Sequence, residues 1–221
     1  MIEGELPATR TRSPRMGRPE RRAQVLRIAQ ELFSSEGFHH VSMDDIADRA
    51  EVSKPVLYRH FPSKLDLYLA VVDQRGADLL LAIDAAVAPV EHGPVHRGDG
   101  REVVAAVVRA FVMFVEGAGT SSALLFESDV THDEDVRARV EHASSVAADR
   151  IANVLVDVTA LPHDETALLA ASLIAMAQGA ATHRLRRQDG SGPERTVELA
   201  AQLAWAGVAG LIRPDFVYED A

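Results

Sequence analysis

Apolar residues recur along this chain at intervals of three and four, the spacing of one face of an α-helix. The clearest run is formed by Val136, Val140, Ala143, Ala147, Ile151, Val154 and Val158. No run of alternating apolar and polar residues is long enough to indicate a β-sheet, and no internal repeat is visible. The pattern therefore predicts an all-α protein of about nine helices.

Residues typical of helix starts and stops give the bounds of these predicted helices. Serine N-caps and first-turn prolines mark the starts, and Gly37 and Pro62 mark two of the ends. The predicted helices are Pro19–Glu36, two short helices that follow Ser42 and Ser53, Ser63–Ala88, Arg101–Ala118, Ser121–Asp129, Glu134–Val158, Pro162–Gln188 and Pro193–Ile212. The glycine- and proline-rich stretch Pro89–Gly100 is predicted to be a loop.

Three regions follow from this pattern. Residues 1–18 contain Pro7, Pro14 and Gly17 and no apolar repeat, which predicts a flexible basic arm. Residues 19–64 are predicted to form a compact three-helix domain. Residues 65–221 are predicted to form a larger helical domain, long enough to bury a sizeable core.

The chain is acidic overall, with a formal net charge of −10, which taken alone argues against a nucleic-acid partner. The charges are unevenly distributed, because residues 1–64 contain 11 Lys and Arg against 9 Asp and Glu. Between Arg10 and Arg27 there are seven arginines and one acid, Glu20. A basic head on an acidic body concentrates contact with phosphate at one end, although a merely solvated arm explains the same arginines.

Composition also excludes several kinds of site. The absence of cysteine excludes disulfides, thiolate chemistry and zinc sites built on cysteine. No stretch approaches the roughly 20 apolar residues that cross a bilayer, and no apolar run follows the N-terminal charges as in a secretory signal. We therefore expect a cytoplasmic protein without a cofactor, a metal or a membrane contact.

The most informative stretch is Ser42–Lys64, SMDDIADRAEVSKPVLYRHFPSK. It encodes a helix, a three-residue turn over Glu51–Ser53 and a second helix, with small and apolar residues spaced to fill the angle between them. Such a scaffold presents its second helix to the major groove of DNA. The outward side chains of that helix are Lys54, Pro55, Val56, Tyr58, Arg59 and His60.

These residue types suit DNA contact. Lys54 can donate to a guanine edge, and Pro55 or Val56 can touch a thymine methyl group. Tyr58 and His60 can donate to phosphates beside the groove. Each side chain alone is also explained as an ordinary solvated one, but the whole set makes that explanation weaker.

The stretch resembles the TetR family of transcriptional regulators. The match covers about fifty residues, from Arg22 to Val72, and its core is S-x-x-x-I-A-x-x-A-x-V-S-x-x-x-L-Y-x-H-F-x-x-K. The resemblance implies that Ser42, Met43, Ser53, Lys54, Pro55, Tyr58, His60 and Lys64 contact DNA. One residue departs from the family pattern, because Glu51 stands where the family usually has glycine.

The same resemblance implies that the C-terminal region binds a ligand and forms a homodimer. The last two long helices would pair with those of a second copy, although an internal core without a partner explains their residues too. A symmetric dimer implies a near-palindromic operator. The candidate interface residues are Ala171, Ala175, Gly179, Trp205, Val208 and Leu211.

A weaker resemblance concerns the ligand. The segments VSKPVLYRHFPSKLDLYLAVV and LLFESDVTHDEDVRARV are similar to those of actinobacterial TetR regulators of fatty-acid synthesis, which sense long-chain acyl-CoA. This implies a small hydrophobic effector, whose anionic head could meet Arg137, Arg139 or Arg184–Arg187. Candidate cavity residues, each also explained as core, are Phe111, Phe114, Leu124, Leu125, Phe126 and Met176.

The sequence argues against one alternative function class and leaves another open. An enzyme is not expected, because His92 and His96 lie in a glycine- and proline-rich loop and the sequence has neither a P-loop nor a G-x-G-x-x-G motif. A constitutive DNA-binding protein without a ligand stays open, because packed cores and pockets use the same residues. The sign of regulation, as repressor or activator, depends on the operator's position and not on this sequence.

Overall fold

The computed structural model describes residues 17–92, 95–96, 98–117, 134–187 and 192–218. Within these ranges the chain forms eight α-helices and no strand, which confirms the all-α class. The helices are α1 (Arg18–Glu36), α2 (Met43–Arg49), α3 (Lys54–His60), α4 (Lys64–His92), α5 (Asp99–Gly117), α6 (Glu134–Thr159), α7 (His163–Arg187) and α8 (Pro193–Val208). The predicted helix Ser121–Asp129 and nearly all of the predicted arm lie outside the described residues.

Helices α2 and α3 begin directly after Ser42 and Ser53, as the sequence signals indicate, and α1 begins at Arg18, one residue before the predicted Pro19. Ser42 caps α2, since its Oγ accepts a hydrogen bond from the Asp45 amide at 3.1 Å. The Asp45 carboxylate accepts one in return from the Ser42 amide at 2.8 Å. This reciprocal pair satisfies two backbone donors that a helix start otherwise leaves free. In α3 a first-turn proline, Pro55, costs no hydrogen bond.

Helix α4 is longer than predicted, because it continues through Pro89 to His92. The prediction that a loop begins at Pro89 is therefore wrong for these residues. A proline inside a helix removes one backbone hydrogen bond, but Val87, two residues earlier, is buried, and Val87 and Val90 both border an apolar cavity. Packing of this last turn outweighs the local cost. Helix α8 in turn stops at Val208 and continues as a short 3-10 helix over Ala209–Leu211.

The buried residues form two hydrophobic clusters. The first lies among α1, α2, α3 and the first half of α4, and α6 adds Val136 and Val140 to it. The second lies among the rest of α4 and α5 to α8. Helices α4 and α6 thus contribute to both clusters and connect the two halves of the molecule.

Contacts between α4 and α6 are close along their length. A Cβ atom at Gly76 would lie 3.2 Å from the Ala143 Cβ, so the small residue permits the approach of the two helices. Arg150 donates to the Leu80 carbonyl at 3.0 Å and pairs with Asp84 at 2.6 Å. None of the helices in the described ranges is long and apolar enough to cross a membrane.

Candidate nucleic-acid interface and internal cavity

Helix α3 is held by its inner side chain and leaves its outer ones exposed. Leu57 is fully buried against Ile46 and Ala47 of α2, which fixes the angle between the two helices. On the outer side Lys54, Pro55 and Arg59 are exposed, and the Tyr58 ring is 46% exposed although it is large and aromatic. A short, basic, exposed helix on a rigid support has the dimensions to enter a major groove.

Lys54, the first residue of α3, is paired across the turn with the first residues of α2. Its Nζ lies 2.6 Å from an Asp44 carboxylate oxygen. The hydrogen bond and charge of Asp44, followed by the charge of Asp48, raise the pKa of Lys54. The pair is exposed on both sides, so a contact of Lys54 with DNA would exchange Asp44 for the new partner.

Two of the residues that the family resemblance implies as DNA contacts, Met43 and Lys64, have partners inside this domain. Met43 is buried in the first core, so its side chain supports α2. The Lys64 ammonium donates to the carbonyls of Phe38 at 2.8 Å and Val41 at 2.9 Å, and it lies 4.3 Å from the centre of the Phe38 ring. Lys64 therefore closes the connection between α1 and α2, and its partial burial lowers its pKa.

The turn between α2 and α3 does need an unusual backbone at Glu51. The residue has a φ of 54°, in the left-handed region where a side chain other than glycine costs about 1–2 kcal/mol. The turn nevertheless closes, since the Glu51 amide donates to Asp48 at 3.1 Å and the Val52 amide donates to Ala47 at 3.0 Å. The departure from glycine leaves the helix-turn-helix formed.

An apolar cavity of about 240 Å³ lies in the C-terminal half. Residues of α4 to α8 and the segment that follows α8 form its wall, in which ten side chains are valines and none is charged. The Trp205 ring covers Gly100 so closely that a Cβ there would lie 2.8 Å from it. The cavity is suited to an alkyl group and offers no partner for a buried charge.

The outer faces of α7 and α8 carry a continuous set of exposed apolar and small residues. Leu168 of α7 is 68% exposed and Leu203 of α8 is 65% exposed. A shallow groove between the two helices includes Met176 and Leu211. Ala171, Ala175 and Gly179 are also exposed on α7.

Comparisons with known proteins identify the family. The model of bacterial regulatory proteins of the tetR family matches residues 25–71, from α1 to the first part of α4. The transcriptional activator FasR of Mycolicibacterium smegmatis is 35% identical over 198 residues, which cover 90% of this chain and 87% of FasR. This chain belongs to the TetR family. It is thus a DNA-binding transcriptional regulator and not an enzyme.

Other TetR relatives agree with the assignment. The regulator EthR of the same species is 39% identical over 72 residues, covering 30% of this chain and 33% of EthR. A TetR-family regulator from Streptomyces coelicolor has a solved structure that superposes with a TM-score of 0.68 and 31% identity. That superposition covers 89% of this chain and 82% of the other.

The cavity is bordered by other residues than the sequence indicated. Phe111 is fully buried in the second core but does not line the cavity, and Phe114 lies at a separate groove beside Arg75. Met176 lines the outer α7–α8 groove. Leu124, Leu125 and Phe126 lie outside the described residues. Periodicity identifies the buried face of a helix, but not which buried side chain borders a void.

Two residues predicted for the dimer interface line the cavity. The Trp205 ring lies there against Gly100 of α5, whereas Val208 borders both the cavity and the outer α7–α8 groove. The cavity residues that were missed include Val103, Val104 and Val107. Their signal in the sequence is a run of short β-branched side chains, which fill less volume than leucine or phenylalanine at the same positions.

Proposed function

We propose that this TetR-family protein binds a near-palindromic operator as a homodimer and that a small hydrophobic ligand in the valine-lined cavity controls this binding. The observation that carries the proposal is the course of α4. This helix begins at Lys64, directly after the DNA-facing helix, and its far end supplies Val87 and Val90 to the cavity wall. One rigid element therefore connects the two sites.

In the proposed homodimer, the second copy packs against the outer α7–α8 face. Leucines that are two thirds exposed, such as Leu168 and Leu203, stabilise a protein when a partner removes them from water. Alanines and Gly179 beside them allow close approach of helices. A two-fold axis through this face presents one α3 helix from each copy to the same side of a duplex.

The ligand is proposed to be an acyl chain, with long-chain acyl-CoA as the specific candidate. The uncharged wall suits the alkyl part, and an anionic head would have to lie outside the cavity. Ligand pockets usually measure about 300–1,000 Å³, so a long chain requires the helices around this cavity to separate. A ligand that prefers the separated arrangement shifts the position of α4 and hence the spacing of the two α3 helices.

Operator binding with and without ligand tests this proposal. We expect palmitoyl-CoA to change the operator affinity at least tenfold and free CoA to leave it unchanged. Val104→Phe, which fills the cavity, should abolish the response. Ala82→Phe, at an exposed position of α4, is the control and should respond normally.

The second candidate is a constitutive DNA-binding protein. It predicts the same operator affinity at every acyl-CoA concentration, in the wild type and in both variants. Such a result would reject ligand control while leaving DNA binding intact.

A further inference from the structure

A second basic site lies beside the DNA-facing helix. Arg18 and Arg21 at the start of α1 and Arg59 and His60 at the end of α3 line one concave surface, which we name the arginine pocket. Glu51 of the strained turn lies on the same surface. The pocket therefore joins two helices and the turn that holds them.

We propose that the arginine pocket binds a phosphate of the DNA backbone outside the base pairs that α3 contacts, and that the Glu51 carboxylate limits its affinity. The inference rests on the proposed DNA-binding function and adds a site to it. Ser53, Val56 and Arg59 of α3 line the pocket, while Lys54 and Tyr58 extend from the same helix. A duplex that receives α3 in its groove thus brings the bordering sugar–phosphate strand toward the pocket.

The pocket's arginines are not neutralised by the protein. Within the residues that the structure describes, Arg18, Arg21 and Arg59 form no salt bridge with a carboxylate, whereas Arg27 on the same helix pairs with Glu31 at 2.7 Å. Arg21 is oriented by Gln24, 3.3 Å away. Uncompensated guanidinium groups from two elements, converging on one concavity, are suited to a phosphate group.

Neighbouring residues shape the pocket around these cations. Beside the pocket, the Arg22 guanidinium lies 4.9 Å from the centre of the Phe61 ring, a contact between α1 and the residue that ends α3. Burial, followed by the charges of Arg18, Arg59 and Arg22, lowers the pKa of His60. A neutral imidazole still has an N–H group that can donate to a phosphate oxygen.

Among the residues that the structure describes, Glu51 is the one acidic side chain that lines the pocket. A carboxylate at this exposed position repels an arriving phosphate. We expect the charge to weaken binding to all duplexes alike, because a phosphate carries no sequence information.

The test is the salt dependence of binding to a 30-base-pair duplex of mixed sequence, which requires no knowledge of the operator. Log affinity falls as log salt rises, and Arg18→Gln and Arg21→Gln should each make this fall shallower by about 0.9 in slope per protomer. Arg27→Gln, with the same charge change on the same helix, should leave the slope unchanged. Glu51→Gln, which keeps the backbone strain, should raise the affinity at least threefold.

The possible results separate this inference from the proposed function. Wild-type slopes in both pocket variants would overturn the inference while the function stands. If, in addition, inorganic phosphate at constant ionic strength stabilised the wild type but not Arg18→Gln, the pocket would hold a free anion and not the DNA backbone. A wild-type protein that binds no duplex at low salt would overturn both.

Discussion

Lys54 and Tyr58 are both exposed on α3, but they are held differently. Lys54 is paired with Asp44 at 2.6 Å, whereas the Tyr58 side chain is 46% exposed. A cation at the start of the helix suits a single base edge, and a phenol suits a phosphate. The two residues therefore differ in what their loss should do.

We expect Lys54→Ala to relax the preference at one base pair of each half-site, at a cost of about 1–3 kcal/mol of discrimination. Tyr58→Ala should weaken binding to all sequences by a similar factor. Selection of duplexes from a randomised operator by each variant measures both effects. Unchanged base preference with Lys54→Ala would show that this lysine does not contact a base.

We expect His60 to give DNA binding a dependence on pH. In the free protein its pKa is lowered by burial and by Arg18, Arg59 and Arg22, with Glu51 and Arg21 also facing the same pocket. A bound phosphate raises that pKa, so the complex takes up a proton. The gain in affinity is present below the pKa that His60 has in the free protein, and it is lost as the pH rises through the pKa that His60 has in the complex.

We therefore expect duplex affinity to increase between pH 8 and pH 5.5, and His60→Gln to flatten this increase. Binding at constant ionic strength measures the profile, and the difference between the two proteins isolates His60 from the other histidines. Identical profiles would contradict a phosphate beside His60.

At the scale of elements, the turn between α2 and α3 stores strain at Glu51, whose φ is 54°. We expect Glu51→Gly to stabilise the protein by about 0.5–1 kcal/mol, because relief of the left-handed strain exceeds the added flexibility of the unfolded chain. Urea unfolding measures the change. Glu51→Ala removes the same charge and keeps the strain, so equal stabilities of the two variants would contradict this explanation.

The helices themselves could largely be predicted from sequence, because local signals decide where they begin. Ser42 with Asp45 three residues later specifies the start of α2, and the motif from Ser42 to Lys64 specifies its angle to α3. Pro89 shows where local signals fail, since the packing around Val87 continues the helix through it. Long-range packing also decides that Lys64 closes a loop between α1 and α2, which no spacing in the sequence indicates.

At the scale of the whole molecule, the C-terminal half shows how far periodicity reaches. The small residues that the family resemblance indicated on α7, such as Ala171 and Gly179, are exposed, but neither the resemblance nor periodicity indicates that Trp205 lines the cavity. Helix α8 has a buried apolar face, but it also carries exposed leucines, Leu199 and Leu203, on its outward side. Only the arrangement of the neighbouring helices assigns each residue to its side.

The proposed dimer face can be tested with two matched leucines. We expect Leu168→Glu to convert the protein to a monomer, because it places a charge in the contact between copies. Leu81→Glu is the control, since Leu81 on α4 is 67% exposed and Leu168 is 68% exposed. Light scattering of the proteins as they elute from a size-exclusion column measures their mass. A dimer that survives Leu168→Glu would place the interface elsewhere.

The most direct measurement is the selection of bound duplexes from random DNA by the purified wild-type protein at near-physiological salt. A homodimer with two α3 helices predicts enrichment of an inverted repeat whose half-sites are centred about 10 base pairs, or a multiple of one helical turn, apart. Enrichment of a single asymmetric site, or of no sequence by a folded protein, would contradict the account.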